Sequence, residues 1–258
     1  HAIQSEQKLA RFLSGCTLSA LTYEESTDLF KLHCSVYANE ENQNWLKRLL
    51  LAAVALQVVD AQIEEGLDEE SGLEHAKSHH PTHGFREPKD PILDSERQFF
   101  IPAGQQANKW VGAEGWNEAK ARVGRIAQHA VTDGSSYIEG EFDCSEGPPM
   151  RLEIRTDRPH SVLGTGLDMR LILPISLPPG KRIHTAISLN ERERKEWNWC
   201  HDLGSWCVVG KQVQFHCFVP NICHAPGILR DLAHELAIRA NWVNDELCRS
   251  PISVAVEK

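Results

Sequence analysis

No stretch of this sequence is apolar for long. The longest run, Leu49–Leu56, is far shorter than the ~20 residues a helix needs to cross a bilayer. Basic residues are never concentrated either: 27 lysines and arginines stand against 36 acidic residues, a formal charge of −9. That field repels phosphate backbones and anionic lipid, so no nucleic acid and no membrane are expected as partners. The eight cysteines show no paired spacing. A disulfide framework is therefore not expected, and a reducing, cytoplasmic compartment is. The chain opens on His1 and not on a methionine, which is compatible with a trimmed targeting segment.

Catalytic signatures are also missing. Gly164-x-Gly166 lies in or beside a strand with no helix after it, and so fails the context of a dinucleotide loop. No cysteine starts a helix or sits among cations, the settings that lower a thiol pKa. Arg192, Arg194 and Lys195 alternate with glutamates and read as a solvated helix face.

What is present is ordinary globular composition, 41% apolar and 24% charged over 258 residues. The first third reads as helical. Gln4–Leu13 is a short helix, Thr22 with Glu25 forms a capping box ahead of Leu29, Leu32 and Val36, and Asn44 opens a third helix. In that third helix Trp45, Leu49, Ala52, Ala53 and Leu56 recur at helical spacing, with Gly66 as its stop. A helical bundle over 1–66 is expected, capping a sheet or making the contact of a homodimer. Residues 67–109 have no period and read as a loop or linker.

From 110 to 258 the pattern is richer. Trp116–Val131 is helical, Tyr137–Cys144 and Met150–Arg155 alternate as strands, and Val162–Leu173 supplies a third. Glu139 and Glu141 fall opposite Arg151 and Arg155, which predicts charge pairing across the ladder. Ser188 with Glu191 marks a helix start, with Leu189, Glu193, Trp197 and Cys200 along one side. Trp206 and Val208, Gly210-Lys211, then Val213, Phe215, Cys217 and Val219 spell a hairpin. Pro226 opens a closing helix carrying Leu229, Leu232, Ala233, Leu236 and Ala240. The expected fold class is α+β: the N-terminal bundle, then a five-stranded antiparallel module of order α-β-β-β-α-β-β-α with helices on one face.

That order, with the phrases SLNERERKEW, LGSWCVV and FVPN, resembles class I type III secretion chaperones and the related YbjN-like proteins. The resemblance covers about Trp110 to Leu247. It implies a chaperone-like, adaptor or regulatory role exercised by binding protein, and it supplies no catalytic residues.

Two groups could hide metal chemistry. His79, His80 and His83 form SHHPTHG, with His75 nearby; imidazole suits zinc, copper or nickel. Pro81 prevents helical pairing of these ligands, and a solvated loop is the plainer reading. Cys200, His201, Cys207, His216, Cys217, Cys223 and His224 form the other group. Their spacing lacks the close pairs of structural zinc sites, and buried thiols explain it better. The expectation is no metal, no cofactor and no enzyme activity, with a metal-dependent enzyme as the alternative. The partner-binding candidates are Trp199 and Trp242. Trp197 and Trp199 are two apart on a helix and so point different ways, which leaves Trp199 for a partner and Trp197 for the core.

Overall fold

The computed structural model describes residues 9–10, 13–15, 17–62, 102–112, 115–127, 129, 131–144, 148–161, 163–196 and 201–249. It is an α+β protein with antiparallel sheets. Among the described residues no helix is long and apolar enough to cross a membrane.

The N-terminal third corrects the bundle expectation. Thr22 does not cap a helix; it lies in β1 (Ala20–Glu24), paired antiparallel with β2 (Leu29–His33). Tyr23 faces Phe30 across the ladder with ring centroids 5.1 Å apart. Ser26, Thr27 and Asp28 are turn residues, and Asp28 takes φ 54, which aspartate tolerates better than most residues. The Tyr23 hydroxyl donates to Asp28 Oδ1 at 2.7 Å. Leu29, Leu32 and Val36 have helical spacing by coincidence; the turn chemistry and cross-strand packing override it.

Helix α1 (Gln43–Gln62) forms as expected and buries Trp45, Leu46, Leu49, Ala52, Ala53 and Leu56. Its start is held by Asn42, whose Nδ2 donates to the Tyr37 carbonyl at 2.7 Å.

The C-terminal elements are α2 (Trp116–Ile126), β3 (Thr132–Asp133), β4 (Tyr137–Phe142), β5 (Met150–Arg155), β6 (Gly166–Ile172), α3 (Pro179–Glu196), β7 (Ser205–Val209), β8 (Gln212–Pro220) and α4 (Ile228–Arg249). The sheet has six strands in the order β3-β4-β5-β6-β8-β7, one more than expected because two-residue β3 is too short to show a period. Helix α3 begins at Pro179, not near Ser188. Proline suits the first helical turn, where its missing N–H costs nothing, and Lys181 and Arg182 N–H already donate to the Pro178 carbonyl at 3.0 and 3.2 Å.

The pleat sorts the sheet into two faces. Met150, Leu152 and Ile154, then Leu167, Met169 and Leu171, then Val213, Phe215, Cys217 and Val219 are all buried on one side. Helices α2, α3 and α4 pack there. Gly204, at φ 99, precedes β7 where a Cβ would lie 2.6 Å from the His216 carbonyl oxygen, so no larger residue fits. The outer edge of β7 is closed by a side chain: Asn190 Oδ1 accepts from Trp206 N–H at 2.7 Å, and its Nδ2 donates to the Trp206 carbonyl at 3.2 Å and the Leu21 carbonyl at 3.0 Å. The apolar side of β1–α1 and that of the sheet belong to one continuous core. Residues 102–109, at the end of the expected linker, dock on the sheet through Asn108, which donates to the Thr156 and Gly166 carbonyls at 2.8 Å.

Candidate functional site

The other face of the sheet carries most of the charge, with Phe218, Ile172 and Cys207 among it. The register aligns Glu139, Glu153, Arg170, His216 and Ser205 in one row from β4 to β7. A neighbouring row runs Tyr137, Arg155, Asp168 and Phe218. Arg155 bonds Glu139 at 2.7 Å and Asp157 at 2.9 Å, and stacks over the Tyr137 ring at 5.3 Å. The pairing of Glu139 with Arg155 is the charge pairing the alternation predicted. Arg151 bonds Glu153 at 2.7 Å, Arg158 reaches the same carboxylate from the 156–165 loop, and Arg170 bonds Asp168 at 2.7 Å. His216 Nε2 lies 3.4 Å from Asp168. Burial alone would raise the Asp168 pKa; the nearby His216 ring and the hydrogen bonds from Arg170 override it and hold the carboxyl below its usual range.

This lattice is not a nucleophile site. Ser205 stands opposite His216, but its hydroxyl donates to the Trp206 carbonyl at 3.1 Å and receives Asn190 Nδ2 at 3.3 Å. Cys207, on the same face, is fully buried, and burial pushes its thiol up to about 12, which keeps it protonated. The arrangement is built to hold arginines in place.

A second charged cluster lies on the helix-covered side. Glu193 of α3 accepts Trp206 Nε1 at 2.7 Å and Arg239 Nε of α4 at 2.7 Å, and the Arg239 guanidinium lies 3.8 Å from the Phe215 ring centroid. Beside this pair are two more carboxylates, Asp202 and Glu235. Burial pushes each up to about 8, so near neutrality they hold protons while Glu193 takes the cation. His201 Nδ1 accepts the Tyr37 N–H at 2.9 Å and its Nε2 lies 3.6 Å from Glu235; burial drives its pKa down to about 4. An accepting Nδ1 requires the proton on Nε2, the tautomer of a neutral ring. Ser35 and Asp202 exchange backbone hydrogen bonds at 3.1 and 2.9 Å, and His33 Nε2 lies 3.3 Å from Asp202. This cluster therefore fastens the chain between β2 and α1 onto α3, β7 and α4, a structural lock.

The residues singled out by sequence fall in several places. Trp197, Trp199 and Cys200 lie outside the described residues, as do His75, His79, His80 and His83. Trp242 is half-buried on α4 and donates to Glu196 at the end of α3 at 3.1 Å. The rest of the cysteine–histidine group is scattered. His201 belongs to the lock, Cys207 and His216 to the polar face, Cys217 to the apolar face, Cys223 to a 3₁₀ turn, and His224 packs on Trp110 at 5.0 Å. Among the described residues, no three His, Cys, Asp or Glu side chains gather to hold a metal ion. Asp168, Arg158 and Arg170 were not singled out; their signal was the polar half of the β6 alternation and a short charged loop. Compared with protein-family models, curated proteins and solved structures, the chain matches none of them.

Proposed function

We propose that the C-terminal module is a non-catalytic, protein-binding unit, chaperone-like or adaptor in kind, that engages its partner through the polar face of the sheet. The observation that carries this reading is the lattice of solvent-reaching arginines, Arg151, Arg158 and Arg170, over the β5–β6 part of that face. Arginine is enriched where proteins bind one another, because its flat guanidinium offers both stacking and directed donors. Ordering such a long side chain normally costs roughly 0.5–1.5 kcal/mol on binding. Here Glu153 and Asp168 hold the arginines before any partner arrives, so that cost is already met in folding. An antiparallel module with a helix before it, a helix ahead of its terminal hairpin and a closing helix also suits the likeness to secretion chaperones and YbjN-like proteins. The rival is a metal-dependent enzyme using the His79, His80 and His83 loop, which lies outside the described residues, or the cysteine–histidine group of 200–224, whose described members are scattered.

Cross-linking tests the proposal. A photoreactive residue at Glu141, on the rim of the polar face, is expected to trap a protein partner in an extract of the native host. The same residue at exposed Lys181, near the start of α3, is expected to trap none. Adducts from Lys181 alone, or from neither position, would overturn it.

A further inference from the structure

We propose that the partner segment taken by this face is acidic, its carboxylates gripped by the outward guanidinium groups of Arg151, Arg158 and Arg170. This deepens the protein-binding reading and rests on it. The face is sorted by depth. The Glu153 and Asp168 side chains are only 2% and 5% exposed, whereas Arg151, Arg158 and Arg170 are 55%, 35% and 27% exposed. An approaching molecule thus meets a guanidinium layer, and the carboxylates that fix it lie beneath. Three guanidiniums stand over two carboxylates at the β5–β6 centre. Of the acids nearer the surface, Glu139 and Asp157 are engaged with Arg155 at the β4 margin, and exposed Glu141 stands opposite Arg151 across the β4–β5 ladder.

Donor arithmetic points the same way. A guanidinium carries five N–H groups. Arg151 turns Nη2 to Glu153, and Arg158 turns Nη1 to both Glu153 and Asp168. Each keeps further donors in the planar fork that matches a carboxylate in two-point contact. A lysine-bearing segment would find those donors useless and the Glu153 and Asp168 carboxylates beneath them buried. The formal charge of −9 repels an acidic segment at long range, so capture depends on close contact. At physiological salt, where the screening length is ~8 Å, the local layer acts without that field.

The test uses three fluorescein-labelled peptides that alternate leucine with glutamate, glutamine or lysine. Fluorescence anisotropy at physiological salt follows their binding to the full chain. The glutamate peptide is expected to bind and the other two are not. Removing Arg158 alone would leave buried Glu153 with Arg151 as its one partner, so the informative variant is Glu153→Gln with Arg158→Gln, which loses one charge of each sign together. It is expected to weaken the glutamate peptide about tenfold or more with an unchanged circular dichroism melt, and Lys211→Gln at the β7–β8 turn is expected to change nothing. Equal binding of the glutamine peptide, tighter binding of the lysine peptide, no binding of the glutamate peptide, or an indifferent double variant would each overturn the inference. If the Glu141 cross-linker still traps a protein after such a result, the acidic chemistry falls and the binding reading stands. If the cross-linker fails, the reading itself falls.

Discussion

On the polar face, Glu153 and Asp168 lie under three arginines; on the helix-covered face, Glu193, Asp202 and Glu235 crowd around the buried Arg239. Both clusters bury carboxylates behind the same sheet, but their stoichiometry is reversed. Beside Arg170 and His216, Asp168 is held below its usual range. Where acids are in surplus, two of them keep their protons up to about pH 8. In the first cluster Arg151, Arg158 and Arg170 reach solvent. The second is sealed by the β2–α1 segment, and its residues serve one another.

Arg239→Leu should break this contrast most. It leaves the Glu193 charge buried and unpaired and removes the contact with Phe215. A loss of about 3–5 kcal/mol is expected in urea unfolding. Adding Glu193→Gln should return much of it, whereas recovery of nothing would mean that Arg239 acts through packing alone.

The pH response comes next. Asp202 and Glu235 have folded values of about 8 against ~4 in an unfolded chain. Between those values the folded state holds more protons, so their contribution is full below pH ~4 and is lost as pH rises through about 8. Taken in full, the two shifts correspond to a stability loss on the order of 7 kcal/mol from pH 5 to 8. Asp202→Asn with Glu235→Gln should flatten that slope in calorimetry; an unaltered slope would locate the titration elsewhere. His201 acts in the opposite sense, since its folded value of about 4 means stability is lost as pH falls below ~6.5.

Asn190→Ala strands the Trp206 N–H beside β7 and should cost about 1–3 kcal/mol. Hydrogen exchange at Trp206 is the direct readout, and unchanged protection there would show that another group takes the bond. The smallest effect belongs to the open face. Arg155→Gln should shift stability by less than ~1 kcal/mol, because its ion pairs with Glu139 and Asp157 are partly solvated. A cost as large as that of Arg239→Leu would remove the distinction between the two clusters.

The sequence read best where one periodicity ran unopposed. Val213, Phe215, Cys217 and Val219 alternate cleanly and lie buried in β8, and the Trp45–Leu56 stripe lies buried in α1. It read badly where two signals competed. Thr22 and Glu25 mimic a capping box, yet Tyr23 and Phe30 pair across a hairpin; Pro178-Pro179-Gly180 looks like a turn, yet Pro179 starts a helix. The candidate site was legible only as local alternation. Glu139 and Arg155 are near enough in sequence to pair by eye, whereas His216 meets Asp168 only once the order β6–β8 is known, and Arg158 enters from a loop with no period.

Asn190 offers Trp206 the two hydrogen bonds that a neighbouring strand would otherwise supply. Open sheet margins are where chains stack edge to edge into fibrils. With a side-chain amide occupying that margin, a second molecule has no free backbone at Trp206 to extend. The opposite margin, β3, is two residues long and offers too little ladder for a growing assembly. Neither margin of the sheet thus presents a long run of free backbone for edge-to-edge pairing.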